Sequence, residues 1–344
     1  MLYVGADLHK KSISLCVVTV ENGKQRVLRR QTVACRQTEA IRRFFAGLGP
    51  FRLAVEATAA YEWLFRLIED LADRLVLVHP KKLRVIAEST RKTDKIDAYV
   101  LALFLALDML PEAYRPSPRV REHRTLVRHR HYVQGRITSV KCKLRNKLAH
   151  YNEDILPLFS RAGREHLQKV EMSAADRFEV EQLVQQLELF QEQLVAVERA
   201  LLAFGQQAPP AEQQARKLLD DMPQIGDVTV NVVLSELGDW RRFRSAKRAV
   251  AYAGLAPGVR QSGNRRHDLH ITKEGSRLLR WALVEAAWRL VGFHVAGWYP
   301  QFVHLQKRTG SEKKAIVALA RRLLCVMFAM LRRGQPYRPF AAAA

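Results

Sequence analysis

Two aspartates stand three residues apart in residues 91–102, RKTDKIDAYVLA, at the head of an apolar run that favours a helix. Residues three apart lie on one helix face, so Asp94 and Asp97 point the same way and repel each other. Neighbouring lysines and arginines, solvent or a divalent cation can offset that repulsion. An acidic first turn that complements the helix dipole is the simpler explanation. The pair alone therefore leaves both interpretations open.

Two more carboxylates lie in runs that otherwise have the composition of buried strands. Asp7 interrupts YVGADLH and Glu56 interrupts RLAVEAT, and a buried carboxylate is costly unless it is paired or binds a metal. If the first and fourth strands are neighbours and the last helix packs across them, Asp7, Glu56, Asp94 and Asp97 meet. Four carboxylates could hold one or two Mg²⁺ or Mn²⁺ ions, which take oxygen ligands and activate phosphodiester chemistry. Together the four acids favour a metal site.

A second candidate is a serine in an arginine-rich segment, GLAPGVRQSGNRRHDLHITKEGSRLLR, where Ser262 is expected in a loop before a helix starting near Lys273 or Gly275. Cations can stabilise a pentavalent phosphorane, and a base or metal can take the serine proton. A turn serine in a phosphate-binding loop is the simpler interpretation, which the residues alone favour. Upstream, Pro223-x-x-Gly226 resembles a helix-hairpin-helix turn, whose N–H groups bind phosphates. The expected nucleic-acid contacts in this region are Gly226, Arg260, Gly263, Arg265, Arg266 and Lys273.

The charge balance indicates a polyanionic partner. The chain has 344 residues, with 57 Lys and Arg against 34 Asp and Glu, a net charge of +23 and a pI near 10.3. An excess of this size suits nucleic acid, whose phosphates supply much of the affinity. Residues 111–150 and 241–280 each hold 11 Lys and Arg against 2 acids.

The elements that would position the acids lie in residues 1–110. Three β-rich runs come first, the second and third joined by an Asn22-Gly23 hairpin signal. Alternating helices and strands follow, in the order βββαβαβα. A meander followed by crossover units predicts an α/β fold of the ribonuclease-H-like (RuvC-like) kind.

A proline-bearing connector opens a basic helical region, residues 111–205. Its first helix has an apolar stripe from Val133 to Leu148 and a basic face on which Arg136, Lys143 and Lys147 are expected to bind nucleic acid. Its second has a 4-3 apolar rhythm from Leu183 to Leu201, which suits either a coiled-coil dimer seam or packing within one subunit. Beyond these we predict a linker at 206–214, a mostly helical domain at 215–335 with the helix-hairpin-helix-like element, and a tail at 336–344.

The remaining composition predicts a cytoplasmic protein with no membrane partner. The four cysteines are widely separated and show no CxxC pair, which indicates reduced thiols rather than a zinc site or a disulfide frame. The opening residues lack signal-peptide character, and two arginines interrupt the late apolar run.

Several segments, in order along the chain, resemble the DEDD-type insertion-sequence transposases. They are GADLHK, VEATAAYEWL, VHPKKLRVIAESTRKTDKIDA, MPQIGDVTVNVVLSELGDWRRFRSAKRAVAYAGLAP, QSG and ITKEGSRLLR. This family pairs a RuvC-like domain with a C-terminal serine-bearing domain, and includes DNA invertases and bridge-RNA-guided recombinases. Two departures stand out: Ala59-Ala60 replace a common glycine, and HDLHITK replaces LGRITK.

The resemblance implies roles for particular residues. The acidic tetrad falls on Asp7, Glu56, Asp94 and Asp97, and the serine nucleophile on Ser262. It also implies a phosphoserine link to DNA, donor and target DNA as substrates, and a structured guide RNA. The protein is further expected to be a homo-oligomer, a dimer or tetramer, whose active site joins the RuvC-like domain of one subunit to the serine domain of another.

Two rival functions stay open on the sequence. One is a RuvC-like nuclease of the junction-resolvase type, which hydrolyses DNA with water and uses Ser262 only to hold phosphate. The other is a basic nucleic-acid-binding protein without activity. Four converging acids count against the latter, because they would repel phosphate unless a metal neutralised them.

Overall fold

In the computed structural model the chain forms two compact units, Met1–Arg115 and Pro116–Ala344. The structure describes residues 1–21, 23–58, 60–86, 94–262 and 265–339, with the backbone alone for 94–96, 259–262 and 265–268. The first unit is built around a mixed β-sheet, and the second is mostly helical.

The first unit begins with three strands and continues with alternating elements. The sheet order is β3-β2-β1-β4-β5, with β1 antiparallel to β2 and parallel to β4. The predicted adjacency of the first and fourth strands is therefore confirmed. The elements are β1 (Leu2–Leu8), β2 (Ser12–Glu21), β3 (Lys24–Ala34), α1 (Thr38–Ala46), β4 (Phe51–Glu56), α2 (Tyr61–Ile68), β5 (Arg74–Val78), α3 (Pro80–Ile86) and α4 (Asp94–Ala106).

Strand β1 is covered on both faces, which explains its apolar composition. Val4 and Ala6 face a core that includes Phe45 of α1 and Phe65 of α2. Gly5, which lies between them, faces α4, because successive strand residues point to opposite sides of a sheet. A sheet buried on both faces produces near-continuous apolar strands, so the polar exceptions in those strands stand out.

Helix α4 lies unusually close to β1 at Gly5. A Cβ added to Gly5 would overlap the carbonyl oxygen of Ala98 and lie 2.5 Å from the backbone nitrogen of Ala102. Tyr3 packs in the same cluster as Leu105, near the end of α4. The helix therefore runs antiparallel to β1, and its N-terminal end lies towards the carboxyl end of that strand.

One element of the first unit differs from the prediction. Two helices, α3 and α4, follow β5 where a single helix was expected. Pro80 starts α3, as proline suits the first helical position. Residues 87–93 between the two helices, which include the first three residues of the RKTDKIDAYVLA segment, lie outside the described part of the chain.

The second unit contains nine α-helices and one β-hairpin in its described part. The hairpin, β6 with β7, is a separate two-stranded sheet. The elements are α5 (Pro118–Ala149), α6 (Arg161–Lys169), α7 (Ala174–Gln206), α8 (Pro210–Asp220), α9 (Asp227–Leu237), α10 (Ala246–Tyr252), β6 (Pro257–Ser262), β7 (Arg265–Ile271), α11 (Arg277–Gly292), α12 (Trp298–Thr309) and α13 (Glu312–Arg333).

Helices α5 and α7 form an antiparallel arm, which resolves the open question about the two apolar stripes. Val133 to Leu148 of α5 pack against Val180 to Leu187 of α7 in one core. At the opposite end, Arg119 donates to the carbonyl oxygen of Phe204 over 3.0 Å. The stripes thus bury each other within one chain.

The predicted division of residues 111–344 also differs from the structure. Val127 of α5 and Leu201 of α7 belong to the same core as α9, α11 and α13, so the arm is continuous with the C-terminal helices. The expected linker is short, because α8 begins at Pro210. Part of the expected tail is fixed to the helices, because the hydroxyl of Tyr337 accepts a 2.8 Å hydrogen bond from the indole N–H of Trp298.

In the described ranges of the chain, none of the helices combines the length and the apolar character that a membrane span requires. The late apolar run forms α13, in which Leu319, Leu323 and Met327 are fully buried in the core of the second unit.

The close contact at Gly5 predicts a large stability effect. We expect Gly5→Ala to destabilise the first unit by about 3 kcal/mol, because the new Cβ meets helix backbone, which cannot rotate away. Gly49→Ala is the matched control in the same unit, since a Cβ there meets nothing within 4 Å. Amide hydrogen exchange of β1 measures the change. Equal protection in the two variants would mean that α4 is not tightly seated on β1.

Candidate active site

The two strand carboxylates lie at the same edge of the sheet. Asp7 is the penultimate residue of β1 and Glu56 the last of β4. The strands are parallel, and Ala6 pairs with Val55, so the register continues directly from that pair to Asp7 and Glu56. The first and fourth strands therefore bring two of the four predicted acids together.

Both carboxylates lie on the sheet face that α4 covers. Asp7 is two residues from Gly5, which contacts α4, and Glu56 is two residues from Ala54, which packs with Leu101. Residues two apart share a face. Since the N-terminal end of α4 points towards this edge, Asp97, next to Ala98, lies on the turn that approaches it. Asp94 starts the helix one turn earlier, and its side chain is outside the described set.

The described side chains do not by themselves form a metal site. Among them, no group of three or more His, Cys, Asp or Glu residues has metal-binding geometry. Asp7 is 13% exposed, and the Nε2 atom of His9 lies 3.0 Å from its Oδ2. The donor chemistry of the four predicted ligands fits a hard cation, because all are carboxylates. Binding would require Asp7 to share or exchange its His9 contact.

Two polar neighbours of Asp7 were missed in the sequence. Ser14 pairs with Asp7 across β1 and β2 and is 5% exposed, with its hydroxyl 3.3 Å from that of Thr32. His9 follows Asp7 by two residues in GADLHK, and this spacing could have predicted that the two side chains lie on the same face of the strand. Ser14 gave no signal, because only the strand register places it beside Asp7.

The predicted serine loop is instead a β-hairpin. Ser262 is the last residue of β6 and pairs with Arg265, while Arg260 pairs with His267. Gly263, another predicted contact, is outside the described residues. The signal was present in the sequence: Gly263-Asn264 between two short runs is a two-residue hairpin pattern. Ser262 therefore stands at the tip of a hairpin rather than in an irregular loop.

The base of this hairpin is firmly seated. Gly254 and Gly275 have φ values of +68° and +97°, and a Cβ on either would overlap backbone, that of Glu274 and of Tyr252 respectively. The nitrogen of Lys273 donates to the carbonyl of Gly254 over 3.1 Å. These contacts fix where the serine-bearing strand leaves the helical core.

The helix after the hairpin begins later than predicted. Helix α11 starts at Arg277, and Ser276 caps it by accepting a 3.1 Å hydrogen bond from the nitrogen of Leu279. Lys273 has a φ of 56° and is exposed before the cap. The sequence prediction overlooked Ser276, a strong N-cap residue.

The helix-hairpin-helix-like element is a pair of helices, α8 and α9, joined by residues 221–226. Gly226 is the residue before α9. Asp220 and Asp227 lie beside the turn, and burial together with the charge of Asp227 raises the pKa of Asp220. Phosphate binding at Gly226 stays a prediction, and these acids count against it.

The three residues predicted to form the basic face of α5 differ in whether they form ion pairs. Arg136 and Lys143 are exposed, and neither forms a salt bridge within the described residues. Lys147 instead contacts Asp176 at 2.6 Å and Glu179 at 2.8 Å. Helical periodicity placed Lys147 on the basic face but could not show that α7 supplies acids opposite it. Nucleic-acid binding by Lys147 stays a prediction, and its two ion pairs with α7 count against it.

Lys147 stabilises the arm through Asp176. Its ammonium group, followed by the hydroxyls of Tyr151 and Ser173, lowers the pKa of Asp176 to about 2. A carboxylate whose pKa is lower in the folded state stabilises the fold above its unfolded pKa, near 3.9. This contribution is lost as the pH falls from about 4 towards 2.

The ion pairs of Lys147 predict a smaller salt effect than three unpaired cations would give. We expect Arg136→Glu with Lys143→Glu to weaken nucleic-acid binding and to lower the log–log salt slope by about two, near one per phosphate contact. Lys147→Met is expected to keep the slope and lower the urea midpoint. Binding titrations between low and high salt measure the slope. An unchanged slope in the double variant would mean that this face binds no phosphate.

These features describe a protein with two carboxylates at one edge of a mixed sheet in its first unit and a mostly helical second unit. Comparison with known proteins narrows the class. A model for the DEDD transposase domain of IS110 elements matches residues 4–153. A second model, for transposases of the IS116/IS110/IS902 family, matches residues 216–303.

Two similar proteins match over nearly their whole length, and a third over a shorter part. The chain is 26% identical to the pilin gene-inverting protein of Moraxella lacunata, over 97% of each chain. It is 24% identical to a probable family 20 transposase of Pseudomonas aeruginosa, over 98% of each. A protein of insertion element IS110 from Streptomyces coelicolor is 31% identical over 40% of this chain and 36% of its own.

The chain therefore belongs to the DEDD-type family of insertion-sequence transposases and invertases. It is an enzyme, a DNA transposase or recombinase, and DNA is its substrate. The hypothesis of a basic nucleic-acid-binding protein without activity was wrong.

Proposed function

We propose that the protein cuts and rejoins DNA through a covalent phosphoserine intermediate, with an acidic tetrad and Ser262 as the two reactive centres. The single observation that carries the proposal is the meeting of Asp7 and Glu56 at one sheet edge, beneath the N-terminal end of α4. The strand order and the parallel pairing of β1 with β4 support a ribonuclease-H-like fold for this unit.

Asp7, Glu56, Asp94 and Asp97 would hold Mg²⁺ or Mn²⁺. Bound there, the cation would stabilise negative charge on the phosphate oxygens at the reacting phosphorus. The carboxylates would hold and orient it, and the close packing of α4 on Gly5 supports a position of the helix near the ends of β1 and β4. Four acids without a counter-ion would repel a phosphate, so the placing of the reacting phosphate at this edge would depend on the cation, while the basic surface supplies most of the affinity for DNA.

Ser262 would be the nucleophile. Its hydroxyl oxygen attacks phosphorus, the Oγ–P bond forms, and the bond from phosphorus to the leaving strand oxygen breaks. The serine proton passes to a base, and the leaving oxygen takes up a proton. The hydroxyl of a second strand end then attacks the phosphoserine, releases Ser262 and joins the strands. Because each bond broken is replaced, rejoining needs no external energy source.

The basic surface would carry the nucleic acid. Arg136 and Lys143 of α5 and the hairpin residues Arg260, Arg265 and Arg266, together with Lys273, are proposed to contact phosphates of donor and target DNA or of a structured guide RNA. We further propose a homo-oligomer, a dimer or tetramer, in the cytoplasm. The pilin gene-inverting relatives support DNA inversion as the reaction type.

A strand-joining assay tests the proposal. Purified protein is incubated with supercoiled DNA that carries the sequences flanking its gene, with and without RNA transcribed from them. Joined product is expected with Mg²⁺ and none with EDTA. A RuvC-like nuclease would instead give cleaved DNA with free ends and no joined product, which would reject the phosphoserine mechanism.

A further inference from the structure

A groove in the second unit runs between α5 and the start of α11. It has a volume of about 860 Å³ and is lined on one side by Arg136 and Tyr132, and on the other by Arg277 and Trp281. Of the residues that line the groove, only Arg136 was among the binding residues predicted from the sequence. Its lining differs from a packed core, because the rings of Tyr132 and Trp281 are both exposed.

The charge in the groove is positive. Arg136 and Arg277 form no salt bridge with any described residue. Among the described residues lining it, Glu236 is the only acid, and the guanidinium of Arg128 pairs with both its carboxylate oxygens, at 2.9 and 3.1 Å. Two arginines therefore remain for an anionic ligand, and guanidinium groups match phosphate geometry well.

The aromatic side chains add a second kind of contact. Tyr132 is 53% exposed and Trp281 is 39% exposed. The guanidinium of Arg136 lies 5.0 Å from the centroid of the Tyr132 ring, and the ring of His131 lies 4.8 Å from that of Trp281. The ring of His129 also lies nearly parallel to that of Tyr132, with centroids 6.3 Å apart. The exposed parts of Tyr132 and Trp281 are the surface that a flat ring could cover.

His131 also lines the groove, beside Trp281. Burial, followed by the charges of Arg130 and Arg277, lowers its pKa. A neutral imidazole can donate one hydrogen bond and accept another, which suits the polar edge of a nucleobase better than a phosphate. The groove thus combines two arginines that suit a phosphate backbone with two aromatic rings and one imidazole that suit a base.

We propose that this groove binds an unpaired nucleotide of single-stranded DNA, with its phosphates on Arg136 and Arg277 and its base against Tyr132 and Trp281. Duplex DNA buries the faces of its bases, so it could use the arginines but not the rings. DNA is chosen over RNA because it is the substrate of this enzyme class, and strand exchange exposes unpaired bases. The inference rests on the proposed function and specifies the form of its substrate.

Binding to single-stranded DNA containing 2-aminopurine tests the groove, using the full chain. Tyr132→Ala is expected to weaken binding about tenfold and to remove the quenching that stacking causes, while Tyr132→Phe behaves as wild type. Phe178→Ala is the matched control, because Phe178 is another exposed aromatic residue of the second unit, on α7 (66%). Arg136→Ala should lower the salt slope by about 0.7, and Tyr132→Ala should leave it unchanged, because only the first removes a phosphate contact.

Several results would overturn the proposal. One is a Tyr132→Ala affinity within twofold of the Phe178→Ala control, and another is equal dependence on Tyr132 for duplex DNA. Tyr132-dependent binding of single-stranded RNA but not DNA would assign the groove to RNA and reject the DNA assignment. The strand-joining assay separates this failure from that of the proposed function, because wild-type protein that joins strands keeps its function whatever the groove binds.

Discussion

Asp7→Asn protein is expected to bind DNA as tightly as wild type or more tightly, and to cut none of it. Asparagine keeps the size of the side chain and one oxygen, so β1 and its contact with His9 can persist. It removes the negative charge that a divalent cation needs from its ligands. The same loss of cleavage is expected for Glu56→Gln, Asp94→Asn and Asp97→Asn, because all four carboxylates are proposed to serve one site.

The matched control is Asp73→Asn, an exposed acid in the same unit, which should keep full cleavage. Cleavage of labelled DNA across a Mg²⁺ titration measures the effect, and circular dichroism checks the fold. If a tetrad variant retains wild-type cleavage, that residue is not a metal ligand. If all four variants unfold, the acids are structural, and the metal site must be sought elsewhere.

Ser262→Ala protein is expected to form no covalent complex with DNA and no joined product. Alanine deletes one oxygen atom at the end of β6, so the hairpin base at Gly254 and Gly275 should be unaffected. Wild-type protein on a nicked suicide substrate should carry labelled DNA through denaturing electrophoresis, because a serine phosphodiester survives those conditions. Metal binding by the first unit should not change.

Thr272→Ala is the matched control, since it deletes an exposed hydroxyl just beyond β7 and should keep the covalent complex. A covalent complex formed by Ser262→Ala would require a different nucleophile. If neither protein forms one and cleavage persists, water is the nucleophile and the chain acts as a RuvC-like nuclease. The effects of Asp7→Asn and Ser262→Ala are independent, because the first removes a proposed metal ligand and the second the proposed attacking group.

Much of the site could be predicted from residue types because carboxylates are conspicuous in apolar strands. Asp7 and Glu56 stood out for that reason, and the strand pattern predicted that β1 and β4 would be neighbours. Ser14 could not be found in this way, because a serine in a strand is common. Only the pairing of β1 with β2 places it beside Asp7.

The sequence by itself determined the local elements, the charge and the two candidate reactive groups, because periodicity and composition act over a few residues. Tertiary structure alone decided which surfaces stay free. It paired the apolar stripes of α5 and α7 within one chain and placed Asp176 opposite Lys147. It also left Arg136 beside Arg277, in a groove formed by helices far apart in the sequence. The physical reason is that a side chain's partners come from any segment that packs against it, whereas sequence spacing reports only neighbours along its own helix or strand.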